Sequence, residues 1–140
     1  MLREIPKGYV RQINGEPKRR WFTDEYFDLY VWQDERDDII EFQLCYEKFQ
    51  NERSLTWKKK SGYTHDRIDN GEDRPEKQKA TPILVGDGHF EHERIATIFK
   101  KESRELEDKI SRFVYEKILK YPAGGDGPVQ AAGPLHCRIR

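Results

Sequence analysis

The sequence predicts an α+β fold: an antiparallel β-meander of four or five strands with one or two C-terminal helices packed on one face. Two observations predict it. Between residues 26 and 68, short runs of aromatic and β-branched residues alternate with polar turns, as in a series of strands. After residue 90, apolar residues recur every three or four positions, as on an amphipathic helix. Strands followed by helices along a chain favour a sheet with its helices on one side.

Size and composition indicate one domain. The chain has 140 residues, and about 100–200 residues is typical of a single domain. Charged residues make up 37% of the chain, but the 12% of aromatic residues bury enough area to build a core. We expect this domain to span residues 1–121, with residues 1–19 as an extended N-terminal arm and Tyr9–Ile13 as a candidate edge strand.

The central strands begin with a hairpin. Tyr26–Gln33 and Ile39–Lys48 are rich in aromatic and β-branched residues, and the polar stretch Asp34–Asp38 between them is a turn. The acid-rich stretch Asp69–Pro75 interrupts the meander, because it contains glycine and proline. The sequence predicts further strands at Ser54–Lys59, Tyr63–Ile68 and Ile83–Val85.

Alternation assigns the two faces of the hairpin, because successive strand residues point to opposite sides. One face is apolar and is predicted to form the core with Phe27, Leu29, Val31, Ile40, Phe42, Leu44 and Tyr46. The opposite face is mixed. We expect there either an aromatic patch exposed for a partner, or a surface that the helices cover. Its residues are Tyr26, Asp28, Tyr30, Trp32, Ile39, Glu41, Gln43, Cys45 and Glu47.

The C-terminal third divides into helix and tail. The apolar stripe indicates two helices, about 91–101 and 104–120. Ser103 is placed to cap the second helix, and Glu105 and Glu107 follow it where acids suit the helix dipole. From Pro122 onward glycine and proline dominate, so we expect a disordered tail over residues 122–140.

A family resemblance covers Arg20–Tyr121. Its aromatic and turn residues stand in RRWFTDEYFDLYVW, FQLCY, SLTW, GYTHDRIDNGE, TPIL and GDGHFE. In their spacing the chain resembles a small family of conserved bacterial proteins of uncharacterised function. The resemblance implies a bacterial setting and a single domain. It brings no activity, cofactor or catalytic residue with it.

One polar cluster contains the residue types used in acid–base and metal chemistry. Its spacing fits no metal motif, since a calcium loop that starts at Asp66 would need oxygen ligands at Ile68 and Lys77. We therefore predict no metal and no cofactor. If the protein is an enzyme, the candidate catalytic residues are His65, Asp66, Asp69 and Glu72.

Two basic clusters each adjoin a tryptophan, at Lys18–Trp21 and Trp57–Lys60. Basic side chains beside an aromatic ring are the materials of phosphate neutralisation and base stacking. Ten acidic residues lie between the clusters, in residues 23–52. Because these acids are placed to neutralise the basic clusters in the sheet, we expect no nucleic-acid partner.

The first twenty residues lack the apolar segment of a secretory signal, and no apolar run is long enough to span a membrane. We therefore expect a cytoplasmic protein with no membrane association, in which Cys45 and Cys137 are reduced thiols.

A small binding or protein-interaction module is the function that we expect, with a protein as partner. Its candidate binding residues are Tyr26, Asp28, Tyr30, Trp32 and Trp57. Two alternatives stay open. One is an enzyme of unknown reaction that uses the His65 cluster, with or without the assistance of a metal ion, and the other is a nucleic-acid binder that uses the two basic clusters.

Overall fold

A computed structural model describes residues 1–48, 52–69, 83–86 and 90–122, with the backbone alone for 68–69 and 83–86. Within these residues the chain forms one antiparallel sheet of seven strands, each paired with the next along the chain. The strands are β1 (Arg3–Glu4), β2 (Lys18–Thr23), β3 (Phe27–Gln33), β4 (Ile39–Tyr46), β5 (Arg53–Lys58), β6 (Gly62–Asp69) and β7 (Ile83–Gly86).

Two helices follow the sheet, α1 (His92–Glu102) and α2 (Asp108–Leu119). Both pack on one face of the sheet, and they contribute to the same apolar cluster as its strands. The predicted fold class is therefore confirmed, and the described sheet has seven strands rather than four or five.

The predicted turn at Asp34–Asp38 closes the hairpin of β3 and β4. One carboxylate oxygen of Asp34 accepts hydrogen bonds from the backbone N–H groups of Arg36, at 2.8 Å, and Asp38, at 3.0 Å. This is the local bonding that suits aspartate to turns. Asp37 lies in the left-handed region with φ 63°, which aspartate tolerates better than most residues.

The core lies between the sheet and the two helices. One cross-strand row of the sheet consists of Phe22, Leu29, Leu44 and Leu55 in register, and each of them is at most 1% exposed. Aromatic contacts extend the core to both helices, since Phe27 meets Phe99 of α1 at 5.8 Å and Trp57 meets Phe113 of α2 at 5.2 Å between ring centroids. The buried helix residues are Ile95, Ala96, Phe99, Ile110, Val114 and Ile118.

The start of β4 departs from the predicted alternation. The register between β3 and β4 shifts at Trp32 and Gln33, and a shift of one residue exchanges the faces of the residues beyond it. Ile39, which we assigned to the opposite face, is therefore buried in the core at 5% exposure. Ile40, which we assigned to the core, is partly exposed.

Two boundary predictions are wrong. Ser103 ends α1, where its N–H bonds the Phe99 carbonyl, and α2 begins only at Asp108. Residues 103–107 connect the two helices, and this connection buries Ser103 at 2% and Leu106 at 8% exposure. The cap that we placed at Ser103 is therefore a turn residue.

The N-terminal arm forms no strand at Tyr9–Ile13. Lys7–Tyr9 is a single 3₁₀ turn, and the edge strand is instead Arg3–Glu4. Pro6, which has no N–H to donate to a ladder, separates the two. Further along, the side-chain amide of Gln12 pairs with the backbone of Arg19, as the backbone of a neighbouring strand would. Its Nε2 donates to the Arg19 carbonyl at 2.7 Å, and its Oε1 accepts from the Arg19 N–H at 3.0 Å.

The short strand predicted at Ile83–Val85 is present as β7. Two other predictions, the break after Asp69 and the disordered tail beyond Pro122, fall on residues 70–75 and 123–140, outside the described residues.

We expect Phe42→Ala to destabilise the protein by about 3–5 kcal/mol, because it opens a cavity in a filled core. Phe42 is fully buried and stacks on Trp57 with ring centroids 6.0 Å apart. Denaturant unfolding measures the change. The exposed Lys60 is the control, and Lys60→Ala should change stability by less than about 0.5 kcal/mol. Equal losses in the two variants would contradict the assigned core.

Candidate functional site

Strand β6 separates the two best described members of the candidate catalytic cluster. His65 lies in the row of Leu55, on the face that packs against the helices, and Asp66 lies in the row of Ser54, on the opposite face. Both are buried, at 1% and 0% exposure. A histidine and an aspartate adjacent in a strand point away from each other, so the two side chains do not share a pocket.

The rest of that cluster is only partly described. The backbone of Asp69 ends β6, and Glu72 lies outside the described residues. Among the described residues, no group of three or more histidine, cysteine, aspartate or glutamate side chains is arranged to hold a metal ion. A catalytic role for His65, Asp66, Asp69 and Glu72 stays a prediction.

His65 contributes to an aromatic cluster at the edge of the core. Its Nε2 is hydrogen-bonded to the Tyr46 hydroxyl at 2.6 Å, and the two rings stack at 5.9 Å. The imidazole also meets Phe90, just before α1, at 4.8 Å and Tyr121, just after α2, at 6.4 Å. The His65 ring therefore joins β4 and β6 to the start of one helix and the end of the other.

The second face of the sheet is buried at its centre, which corrects the expectation of an exposed aromatic patch. Tyr30 is 2% exposed. Its ring stacks on Trp21 at 5.7 Å and lies 6.3 Å from Trp32. Trp21 and Trp32 pack against Tyr30 and are themselves partly exposed. The helices do not cover this face, because they pack on the other one.

Asp28 is fully buried on this second face and lies in a polar network. Its Oδ1 accepts hydrogen bonds from the Thr23 hydroxyl at 2.6 Å and from the Trp21 indole N–H at 3.1 Å. The Lys48 ammonium lies 3.4 Å from the same oxygen. A buried carboxylate needs such donors, so this network accounts for Asp28 structurally.

The other two candidate binding residues lie elsewhere. Trp57 is in the core at 8% exposure, with the Lys117 ammonium 4.5 Å from its ring centroid. Tyr26 packs at the edge of the same core, and its hydroxyl lies 3.4 Å from an Arg94 guanidinium nitrogen. A binding role for the five predicted residues stays a prediction, but they do not form one exposed surface.

Cys45 lies in the middle of the second face, is fully buried, and is disulfide-bonded. The expectation that it is a reduced thiol is therefore wrong. Sequence spacing concealed this, because the two cysteines of the chain are 92 positions apart and match no pairing pattern.

The basic cluster Lys18–Trp21 is occupied by contacts within the protein. Lys18 pairs with Asp37 at 2.8 Å. The guanidinium of Arg20 bonds Glu4 at 2.7 Å and Glu107 at 2.9 Å, and these hydrogen bonds raise the pKa of Arg20 and lower the pKa of Glu107. The second cluster is divided, since Trp57 is buried while Lys58, Lys59 and Lys60 are exposed.

An open cleft of about 730 Å³ lies at the end of the sheet where β2 begins and β3 turns into β4. Sequence reasoning missed it. The pairing of Lys18 with Gln33 brings the turn before β2 against the acidic turn after β3, and this register is not visible in either segment alone. The residues that line the cleft are Gly15, Glu16, Pro17, Lys18, Asp34, Glu35, Arg36 and Asp37.

Comparisons of the chain with protein-family models, with curated proteins and with solved structures found no match. Within the described residues, neither helix has both the length and the apolar character that crossing a membrane requires.

We expect Tyr46→Phe to destabilise the protein by about 1–3 kcal/mol, because a buried imidazole nitrogen loses its hydroxyl partner while the ring packing is kept. Thermal or denaturant unfolding measures the change. Tyr9, which is 80% exposed, is the matched control, and Tyr9→Phe should have almost no effect. Equal stability of Tyr46→Phe and the parent protein would mean that the 2.6 Å contact contributes nothing net.

The half-buried Glu41 leads to a prediction about pH. Burial raises the pKa of Glu41, and nearby Lys58 offsets this only in part. The folded state therefore binds the Glu41 proton more tightly than the unfolded state, so this group makes stability fall as pH rises through its titration range.

Glu41→Gln has no carboxyl group to titrate at this position. The free energy of unfolding of the variant, minus that of the parent, should therefore increase from about pH 4 to about pH 7. Unfolding measured at several pH values tests this, with the exposed Glu25→Gln as control. A difference between Glu41→Gln and the parent that does not grow with pH would contradict the assignment.

Proposed function

We propose that the protein is a binding module whose cleft, between residues 15–18 and 34–37, holds a basic segment of a partner protein. The observation that carries the proposal is the charge of the cleft lining. Four carboxylates, from Glu16, Asp34, Glu35 and Asp37, face two basic side chains, from Lys18 and Arg36. The lining therefore has a formal excess of two negative charges.

Two of these carboxylates already have structural roles. Asp37 pairs with Lys18, and Asp34 accepts the backbone N–H groups of its own turn. Those hydrogen bonds lower the pKa of both groups, so both are ionised near neutral pH. Glu16 and Glu35 are exposed and form no ion pair with any described residue. These two carboxylates are the groups we assign to bind a lysine or arginine of the partner.

An exposed apolar residue lies two positions before the first residue of the cleft lining. Ile13 is 45% exposed, and its carbonyl accepts the Glu16 N–H at 3.0 Å, which holds its backbone next to that of the lining residue Glu16. Exposed apolar groups next to charged ones are typical of partner surfaces. We therefore infer a partner segment that combines basic with apolar side chains.

The two alternatives receive less support. The enzyme hypothesis needs His65 and Asp66 to act together, and they lie on opposite faces of β6. Nucleic-acid binding needs accessible basic groups beside an accessible aromatic ring. Arg20 is paired with acids, and Trp57 is buried. The exposed lysines Lys58–Lys60 therefore lack an accessible tryptophan ring on which a base could stack.

The bacterial setting and the cytoplasmic location both stay predictions. A disulfide at Cys45 favours an oxidising compartment, since disulfides seldom persist in the cytoplasm of most organisms.

Nuclear magnetic resonance titration of the labelled full chain tests the cleft. We expect a pool of short peptides that alternate lysine or arginine with leucine to shift the amide signals of residues 13–18 and 34–37, and a matched acidic pool to leave them unchanged. The double variant Glu16→Gln, Glu35→Gln should weaken binding at least about tenfold, because it removes both unpaired charges.

The matched control for that titration is Glu105→Gln, an exposed carboxyl outside the cleft lining, which should bind as the parent does. Shifts that appear at the Lys58–Lys60 turn with acidic peptides, and not at the cleft with basic ones, would overturn the proposal.

A further inference from the structure

A second recess, of about 260 Å³, lies where the N-terminal segment, strand β2 and the connection between the two helices meet. Each of these three segments contributes one apolar residue to its walls, and all three are buried: Leu2, Phe22 and Leu106. The recess shares no lining residue with the cleft between residues 15–18 and 34–37. It is therefore a separate feature of the protein surface.

One guanidinium group is shared by two carboxylates at this recess. Arg20, whose side chain is 10% exposed, donates two hydrogen bonds of 2.7 Å to Glu4. It holds Glu107 less closely, because Nη2 lies 2.9 Å from Oε1 while Nη1 lies 3.4 Å from Oε2. One positive charge therefore faces two negative ones. The Oε2 atom of Glu107 has the capacity to accept a further hydrogen bond.

The other charged residues of the lining leave the recess negative. Glu105 is exposed and forms no ion pair with any described residue. Arg3 lies beside Glu4 in the two-residue strand β1, so the two side chains project to opposite faces of that strand. In total, three carboxylates and two basic groups line the recess, which is a formal excess of one negative charge.

We propose that this recess binds a small organic cation with a single charge, a primary amine or an amidine carried on a short apolar group. The charged group of the ligand donates hydrogen bonds to the Glu105 carboxylate and to Oε2 of Glu107. Its apolar group lies against the walls that Phe22 and Leu106 provide. Sites for drug-sized ligands usually enclose about 300–1,000 Å³, so this recess suits a smaller molecule.

A metal ion is the other kind of cation that carboxylates bind. Among the described residues, no group of three or more potential metal ligands is arranged to hold one, and Glu4 and Glu107 already accept hydrogen bonds from Arg20. Hard metal ions also require oxygen ligands on every side, which the apolar walls do not offer. The combination of carboxylates with apolar walls therefore favours an organic cation.

Three probes of the same shape test the charge selectivity of the recess: benzamidine, which is a cation, benzamide, which is neutral, and benzoate, which is an anion. Nuclear magnetic resonance titration of the labelled full chain follows their binding. We expect benzamidine alone to give saturable shifts of the amide signals of residues 2–4, 20–22 and 105–107. Equal shifts with benzamide, or no shifts with benzamidine, would overturn the proposal.

The variant Glu105→Gln tests the assigned carboxylate. It should weaken benzamidine binding at least about fivefold, because it removes a charge-assisted hydrogen bond. Its melting temperature should equal that of the parent, since Glu105 has no ion pair within the described chain. The double variant Glu16→Gln, Glu35→Gln, which changes only the cleft, is the matched control and should bind benzamidine as the parent does. Unchanged affinity in Glu105→Gln would contradict the assignment.

Two further probes separate the possible sources of such a cation. Butylamine has the ammonium group and hydrocarbon chain of a lysine side chain, and N-acetyl-lysine methylamide adds the backbone of a protein. Binding of butylamine alone identifies a free small amine as the ligand, and binding of both shows that the recess also accepts a side chain of a protein. Binding of neither would overturn the proposal. Because the recess and the cleft share no residue, a negative result here leaves the proposed function untouched.

Discussion

The alternation of side chains along the paired strands β3 to β6 is the constraint on which the rest of this structure depends. Because the four strands pair in register, each cross-strand row is committed to one face. The row of Leu29, Leu44 and Leu55 builds the core beneath the helices, and it carries His65 inward with it. The neighbouring row places Cys45 and Asp66 on the other side. The two faces therefore differ in the chemistry of their side chains, and the helices pack on only one of them.

Much of the fold was predictable because it rests on local patterns. The hairpin, the turn at Asp34, the inward position of Phe42 and the two amphipathic helices follow from alternation and periodicity, which act over a few residues. The wrong predictions concern residues whose position depends on contacts with segments distant in the chain. Ile39 replaces Ile40 in the core because of a register shift against β3, and Ser103 ends a helix because the turn to α2 must bury it.

The candidate site was less predictable for the same reason. A strand face with polar residues, such as that of Asp28 and Gln43, looks exposed in sequence, yet both residues are buried and Asp28 lies in a hydrogen-bonded network. Composition does not reveal whether a polar residue is solvated or has protein partners. The cleft was also hidden, because its two walls are separated in the chain and meet only through the pairing of Lys18 with Gln33.

The distribution of charge connects these findings. The chain has no net charge, and the acidic turn at one end of the sheet is met by basic side chains from three directions: Lys18 from β2, Lys109 from α2, and Lys59, which helps to lower the pKa of Asp34. The alternating charge of the segments predicts internal pairing of this kind. Glu16 and Glu35 line the cleft and form no ion pair with any described residue. In the proposed binding module, recognition therefore depends on two carboxylates in a small cleft. A partner recognised by a few basic side chains fits this arrangement better than one held by a broad electrostatic field.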